Sequence, residues 1–151
     1  MRVAACMVMM VAMGTAACGG GDGGDRLTAG ELRTRANAVC TELQDDAQAA
    51  FADLLPDDEP TAYQGAIKKL VRVVDQAIER LDDLNPPKNQ ETRYDEALSA
   101  YRAAQDKVRE AGETPEASAV VFAGAKDPYD DANAIFNELG LTSCGGGSAT
   151  G

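Results

Sequence analysis

The sequence predicts an all-α protein, an up-down-up-down four-helix bundle, and three observations support that fold class. Alanine, leucine and charged residues dominate the 151-residue chain, while aromatic residues make up only 5% of it. Apolar residues recur at spacings of three and four through long segments, which is the helical period. Short turns rich in proline, glycine and aspartate separate these segments, and short connections between long helices favour antiparallel neighbours.

The first predicted helix begins at Thr28. Thr28 followed three residues later by Glu31 is a capping-box pattern. One apolar face then continues until Pro56, which ends the helix. That face consists of Leu32, Ala36, Val39, Cys40, Leu43, Ala47, Phe51 and Leu54.

The second predicted helix follows the turn at residues 56–60. Thr61 is its expected N-cap, with Gln64 as the partner in a second capping box. Its apolar face runs from Tyr63 to Leu84, and the Asn-Pro-Pro sequence at residues 85–87 ends the helix because proline breaks it.

The third predicted helix runs from Gln90 to Ala111, with Gly112 as its expected C-terminal cap. Thr114 followed by Pro115 then marks a new start, because proline is favoured at the first helical position. The apolar run at residues 120–122 would suit a strand by itself, but the start signal and the helical neighbours favour a helix.

The fourth predicted helix is broken near Pro128. Proline interrupts the helical hydrogen bonds, and Asp127 is the expected N-cap of the restarted half. This half carries its apolar face to Leu139. Gly140 followed by apolar Leu141 predicts a Schellman ending.

The N-terminal segment has the pattern of a secretory signal peptide over residues 1–17. Its apolar run is shorter than the roughly 20 residues that a membrane-spanning helix needs. Residues 15–18 (Thr-Ala-Ala-Cys) resemble the lipobox of bacterial lipoproteins, in which the cysteine is acylated and becomes the first mature residue. Thr15 departs from the leucine usual at that position. The pattern predicts lipidation of Cys18, and the alternative is an ordinary secretory signal with an incidental cysteine.

This interpretation divides the chain into four parts. Residues 1–17 are the signal peptide, and residues 18–27 are the lipidated cysteine and a flexible glycine-rich tether. Residues 28–144 form the helical bundle domain, a length that suits one domain. Residues 145–151 are expected to be a disordered tail.

Composition excludes several classes of function. The chain has 14 Lys and Arg against 25 Asp and Glu, which gives a net charge of −11. Loss of residues 1–17 would remove one positive charge, that of Arg2. Such a surface repels nucleic acid and anionic headgroups, so we expect no nucleic-acid partner. The chain has no histidine, the commonest general base and transition-metal ligand. We therefore expect no enzyme, no cofactor and no metal site.

Three short motifs resemble those of small, Ala-rich helical lipoproteins of actinobacteria. They are ANAVC at residues 36–40, LDDLNPP at residues 81–87 and LGLTSC at residues 139–144. The resemblance implies a lipid-anchored protein of the cell envelope, on the outer face of the cytoplasmic membrane. It also implies a cysteine pair joining the first helix to the tail, and it implies no activity. The proline-interrupted last helix is shorter than the resemblance leads one to expect.

The cysteine count independently predicts a disulfide between Cys40 and Cys144. Of the four cysteines, Cys6 would leave with the signal peptide and Cys18 would carry lipid. The remaining two would lie in an oxidising compartment. Two thiols without histidine are too few for a structural zinc site, and a catalytic redox pair normally has C-x-x-C spacing.

Two surfaces are candidates for binding. Tyr94, Leu98 and Tyr101 share one side of the third helix, where they would line a ligand pocket or, as we favour, belong to the core. The basic cluster Lys68, Lys69 and Arg72 would dock an acidic partner or, as we favour, form a solvated face paired with nearby acids.

Two acidic clusters, at residues 57–59 and 127–131, are oxygen-rich enough to hold Ca²⁺ weakly. Neither has the spacing of an EF-hand loop. We favour solvated turn residues for the first cluster and complementation of a helix N-terminus for the second.

Together these observations predict a membrane-anchored, non-catalytic helical module that binds an envelope protein or a cell-wall component. The alternative is a small-ligand carrier with a cavity among the helices. A cavity of about 300 Å³ or more with convergent polar groups would favour the carrier. A solid core with one exposed apolar patch would favour the protein-binding module.

Overall fold

A computed structural model describes residues 26–55, 58–124 and 126–146, and within these ranges it contains five α-helices and no strand. The helices are α1 (Ala29–Phe51), α2 (Pro60–Asp82), α3 (Glu91–Ala111), α4 (Pro115–Ala123) and α5 (Asp130–Glu138). The expected all-α class is confirmed. The predicted signal peptide, Cys6, Cys18, most of the tether and residues 147–151 of the predicted tail lie outside the described ranges.

The start of α1 is the predicted capping box. The Thr28 hydroxyl oxygen accepts a hydrogen bond from the Glu31 amide at 3.2 Å, and the Glu31 carboxylate accepts one from the Thr28 amide at 2.8 Å. The Thr28 amide and the Thr28 hydroxyl both donate to the Glu31 carboxylate, and because these two bonds favour its charged form, they hold the pKa of Glu31 below its usual range. Two amides that the first turn leaves without helical partners are thereby satisfied.

The predicted start of α2 at Thr61 is wrong. The helix begins at Pro60, and Glu59 occupies the N-cap position without a side-chain capping bond. Proline fixes φ near the helical value and has no N–H to satisfy, so the helix starts two residues earlier than predicted. Gln64 does not close a capping box. Its Nε2 instead donates to the carbonyl oxygens of Gly112 and Glu113, at 3.1 and 2.9 Å.

The end of α3 is at Ala111 as predicted, and Gly112 is its C-cap. Gly112 has a φ of −69°, so no left-handed conformation requires glycine here. A Cβ atom at this position would lie 3.0 Å from Cγ2 of Ile67. The need for glycine therefore comes from the close approach of α2 to the end of α3.

The segment predicted to form a broken fourth helix contains two separate helices, α4 and α5. Thr114 caps α4 as expected, its hydroxyl accepting from the Ala117 amide at 3.2 Å, and residues 120–122 are helical. The prediction of Asp127 as the N-cap of the second half is wrong. Tyr129 occupies that position, and Asp127 Oδ1 accepts from the Tyr129 amide at 2.8 Å, which closes a turn ahead of the helix.

A Schellman motif ends α5, as predicted. Gly140 has a φ of +75°, its amide donates to the Asn137 carbonyl, and the Leu141 amide donates to the Phe136 carbonyl at 2.9 Å. The left-handed residue reverses the chain, so the segment after α5 returns along the bundle towards Cys144. Gly145 and Gly146, predicted to begin the disordered tail, lie in turns.

The helices pack around one apolar core. α2 makes close backbone contacts with α1, α3 and α4. α3 also contacts α5 and, more weakly, α4. Within the described residues, α1 makes no close backbone contact with α4 or α5. At the ends, the Leu27 amide donates to the Asn85 carbonyl at 2.8 Å, and Arg93 pairs with Glu138. Among the described residues, the apolar ones without exposed surface are Leu32, Ala36, Leu81, Ala97, Phe136 and Leu141.

The predicted disulfide is present. Cys40 of α1 and Cys144, which follows α5, are bonded across a sequence separation of 104 residues, with their Cα atoms 5.0 Å apart. Both cysteines are buried within the core. The bond therefore joins the middle of α1 to a segment that reaches the core only after the turn at Gly140.

Candidate functional site

The three predicted ligand residues of α3 are all buried. Tyr94 and Leu98 are 1% and 2% exposed, and the Tyr94 hydroxyl donates to the Leu81 carbonyl at 2.8 Å. These two side chains therefore belong to the core, as we favoured. Tyr101 differs because one side of its ring borders a cavity.

That cavity, which we call the disulfide cavity, has a volume of about 190 Å³. Leu70, Val74 and Tyr101 belong to its apolar lining, and we call these three side chains its floor. Leu43 of α1 and the disulfide-bonded Cys40 and Cys144 also line it. The polar residues of the lining include Gln44, Asp127, Asn133 and Ser143.

A second cavity of about 210 Å³, the outer cavity, adjoins the first. Phe51, Ile67, Val108 and Val121 line it, so it lies beside the last residue of α1. Leu70, Asp127 and Tyr129 line both cavities. The two cavities therefore adjoin each other, and we call them together the α1 groove.

The α1 groove exists because α1 makes no close backbone contact with α4 or α5 within the described part of the chain. α4 ends at Ala123 and α5 begins at Asp130, and Tyr129, which lines both cavities, directly precedes α5. The segment after α5 contacts α1, where the Ser143 amide donates to Asn37 Oδ1 at 3.1 Å and Gln44 Nε2 donates to the Ser143 carbonyl at 2.7 Å.

A buried hydrogen-bond network holds Tyr129 in the groove wall. Its hydroxyl donates to Gln105 Oε1 at 2.6 Å, and Gln105 Nε2 donates to the Val71 carbonyl and to Asp75 Oδ1, each at 2.8 Å. The rings of Tyr129 and Tyr101 are 4.8 Å apart between centroids. Burial raises the pKa of both phenols above the ordinary value, so both remain neutral at physiological pH.

The basic cluster does not pair with nearby acids as we expected. Within the described residues, Lys68, Lys69 and Arg72 form no salt bridge. Lys68 and Arg72 line a shallow depression of about 350 Å³ beside Arg109. Arg109 itself is paired with Asp75 at 2.7 Å. The cluster is an exposed, solvated face of α2.

The acidic clusters have structural roles where they are described. Asp57 lies outside the described ranges, and Asp58 Oδ2 accepts from the Leu55 amide at 2.8 Å. Asp130 and Asp131 lie in the first turn of α5, where negative charge complements the helix dipole. Over residues 26–55, 58–124 and 126–146, no group of three or more acidic or cysteine side chains is placed to hold a metal ion.

None of the helices in the described part of the chain combines the length and the apolar character needed to cross a membrane.

Sequence reasoning named Tyr101 but missed the α1 groove. The residues that create it, such as Leu43, Leu70 and Tyr129, fit the helical apolar pattern of an ordinary core. One signal near the groove was available, because the sequence predicted a helix broken near Pro128, which lines the outer cavity.

Comparisons with known proteins returned no match: no family model, no curated protein and no solved structure is similar to this chain. The proposals below therefore rest on the geometry of the groove and on the residue patterns of the sequence.

Proposed function

We propose that this protein is a lipid-anchored, extracytoplasmic lipoprotein whose helical domain is a non-catalytic module that binds another protein of the cell envelope. Acyl chains on Cys18 would attach it to the outer face of the cytoplasmic membrane. The α1 groove would be the binding surface. The observation that carries this proposal is the open, apolar-floored groove between α1 and the α4–α5 segment.

We further infer that the helices alternate in direction, with α4 and α5 as the two parts of a broken fourth helix. Support comes from pairs at the helix ends. Leu27 before α1 bonds to Asn85 after α2, and Gln64 near the start of α2 bonds to Gly112 after α3. In this arrangement α4 and α5 would occupy the side of the bundle that faces α1. The groove would then lie in the gap between α1 and the α4–α5 segment.

The size of the cavities favours a protein partner. Sites for small molecules usually have volumes of roughly 300–1,000 Å³, whereas these cavities measure about 190 and 210 Å³. Cavities of this size suit individual apolar side chains, which supply most of the binding free energy in protein interfaces when they fill pockets. Two adjoining cavities would accept two such side chains from one helix of a partner.

Exposed apolar residues extend the surface beyond the outer cavity. Leu55 is 65% exposed shortly after the end of α1, and Val120 is 70% exposed next to Val121, which lines that cavity. The tether precedes α1, and the 23 residues of α1 span about 34 Å at 1.5 Å per residue. This end of the groove would therefore face away from the membrane, where a partner has access.

A second candidate function is the small-ligand carrier. The observation that favours it is that the two cavities share three lining residues, so a ligand that extends from one into the other would occupy more volume than either cavity offers alone. The polar side chains of Gln44, Asn133 and Ser143 around the disulfide cavity would then orient its head group.

Site-specific photo-crosslinking in the native membrane tests the proposal. A benzophenone amino acid at Gln44, which lines the groove, is compared with the same group at Asp45, whose side chain points about 100° away on the same helix. We expect a discrete protein adduct from position 44 that is absent from position 45. Identical adducts from both positions, or only small-molecule adducts from position 44, would overturn the protein-binding proposal, and the second result would support the carrier.

A groove-filling variant provides a second measurement. Ala47→Trp places a large side chain into the disulfide cavity, whereas Ala49→Trp places it on the exposed surface of the same helix. With the crosslinker at position 44, we expect the first variant to abolish the protein adduct and the second to retain it. Retention of the adduct in both variants would show that binding does not use the groove.

A further inference from the structure

We propose that the α1 groove selects a cationic anchor, a lysine or arginine side chain carried by an amphipathic helix of the partner and seated between Asp127 and the rings of Tyr101 and Tyr129. This specificity rests on the groove being a binding surface, as proposed above. It adds the chemistry of the partner: an apolar helix face with a basic residue at its centre.

The carboxylate of Asp127 supplies the charge. Of the described residues that line the groove, Asp127 is the one charged side chain, and it borders both cavities. It forms no salt bridge with a described cation. The neighbouring Lys126 pairs instead with Asp131, at 3.7 Å. A negative charge without a counter-charge therefore lies at the mouth of an apolar groove.

The two tyrosines supply aromatic surfaces next to that charge. The Tyr129 hydroxyl donates to Gln105, and Tyr129 and Tyr101 both line the disulfide cavity together with Asp127. A cation within about 6 Å of an aromatic ring is attracted to the ring face, more strongly when water is partly excluded. Burial raises the pKa of the Tyr101 phenol, and the negative charge of Asp127 raises it further.

The floor of the groove fits the remainder of such a side chain. Lysine and arginine place their methylene stems on apolar surface while the charged head stays at a polar rim. Leu70 and Val74 provide apolar surface in the same cavity that Asp127 lines. An uncharged apolar side chain would fill the floor equally well but would leave the carboxylate unpaired, which gives the groove its preference.

The charge of the whole chain favours the same kind of partner. The net charge is −11, and Asp130 and Asp131 extend the negative rim from Asp127 onto the first turn of α5. This field attracts a basic helix over distances up to roughly a Debye length and repels an acidic one. The chemistry recognised is therefore that of a basic, amphipathic segment.

Three small probes of equal chain length test the preference: hexylammonium, hexanol and hexanoate. Each is titrated into the purified full chain, and binding is followed by NMR through the amide signals of Leu70, Val74 and Tyr129. We expect hexylammonium to bind about tenfold more tightly than hexanol, a ratio typical of a cation–π contact combined with an ion pair. Hexanoate should bind most weakly.

The matched variants are Asp127→Asn and Asp130→Asn. Asparagine at position 127 keeps an oxygen that accepts the Tyr129 amide hydrogen bond, so the local turn should persist. We expect Asp127→Asn to lower hexylammonium affinity to the level of hexanol, without changing hexanol affinity. Asp130→Asn, which lies close to Asp127 but outside the groove lining, should change neither the hexylammonium affinity nor the hexanol affinity.

The outcomes separate this specificity from the proposed function. Equal affinity of hexanol and hexylammonium for the unmodified chain would overturn the cationic anchor while leaving the groove as a binding surface. An equal loss of hexylammonium affinity in Asp127→Asn and Asp130→Asn would also overturn it. The preference for a cation would then come from the overall negative charge and not from Asp127. Loss of the photo-crosslinked adduct in Ala47→Trp depends on neither result, so it reports on the groove alone.

Discussion

The hydroxyl of Tyr129 donates a 2.6 Å hydrogen bond to the side-chain oxygen of Gln105, which is 1% exposed. Gln105 donates in turn to the Val71 carbonyl of α2 and to Asp75. A single buried amide on α3 thus connects α2 with the residue that precedes α5. The bond helps to keep the nine-residue α5 in place although the last helix is interrupted.

We predict that Tyr129→Phe lowers the free energy of unfolding by about 1–3 kcal/mol, since it leaves the buried Gln105 oxygen without a donor. Urea denaturation followed by circular dichroism measures the loss. Tyr63→Phe is the control, because the Tyr63 hydroxyl donates to the carbonyl of exposed Leu55 and its loss should cost less. Equal losses in the two variants would contradict a special role for the buried bond.

Alkaline pH should unfold the protein through its buried tyrosines. Burial raises the pKa of Tyr94, Tyr101 and Tyr129 above the ordinary value of 10.0. Because the pKa of these phenols is higher in the folded state than in the unfolded state, their contribution to folding stability is fully present below about pH 10. This contribution is lost as the pH rises towards the folded-state pKa values.

In a titration above pH 10, we therefore expect the absorbance increase of tyrosinate at 295 nm to coincide with loss of the helical signal at 222 nm. Ionisation of these three phenols while the helical signal stays intact would show that they are accessible to solvent in the folded state.

Removal of the disulfide should destabilise the protein. For a closed loop of about 100 residues the chain-entropy contribution is roughly 4.7 kcal/mol, and measured losses are typically about 2–4 kcal/mol. We expect the variant with both Cys40→Ala and Cys144→Ala to unfold at lower urea concentration. Reduction of the unmodified protein should have a similar effect.

Hydrogen exchange locates the effect of the lost disulfide. Amides of the returning tail, such as those of Leu141 and Cys144, should exchange faster in the double variant, whereas the amide of Tyr94 in α3 should change less. A uniform increase over all helices would mean that the bond stabilises the whole bundle and not the tail.

Cys18→Ala should remove the membrane anchor. A lipid chain adds roughly 0.8 kcal/mol per buried CH₂, and two or more chains give stable attachment. We expect the variant to remain uncleaved or to fractionate as a soluble protein, whereas Cys6→Ala should be processed normally. A processed Cys18→Ala protein that still requires detergent for extraction would show that the lipoprotein interpretation is wrong.

Local sequence determined most of the secondary structure of this protein. The capping residues Thr28 and Thr114 and the Schellman glycine Gly140 act through hydrogen bonds to residues within four positions, so their roles were visible in the sequence. The disulfide was predictable by elimination from the cysteine count. Thr61 was wrongly predicted as an N-cap because Pro60 begins the helix before it. Asp127 was wrongly predicted as an N-cap because its side chain accepts a hydrogen bond within the turn before α5.

The α1 groove was decided only by the tertiary structure. Its lining brings together Cys40 of α1, Leu70 of α2, Tyr101 of α3 and Tyr129, which precedes α5, and these residues carry the same apolar pattern as a closed core. Whether such residues fill a core or line a groove depends on how closely α1 approaches α4 and α5. That distance depends on packing at the segment between α4 and α5 and on the disulfide bond to Cys144. The spacing of apolar residues along the sequence carries no information about it.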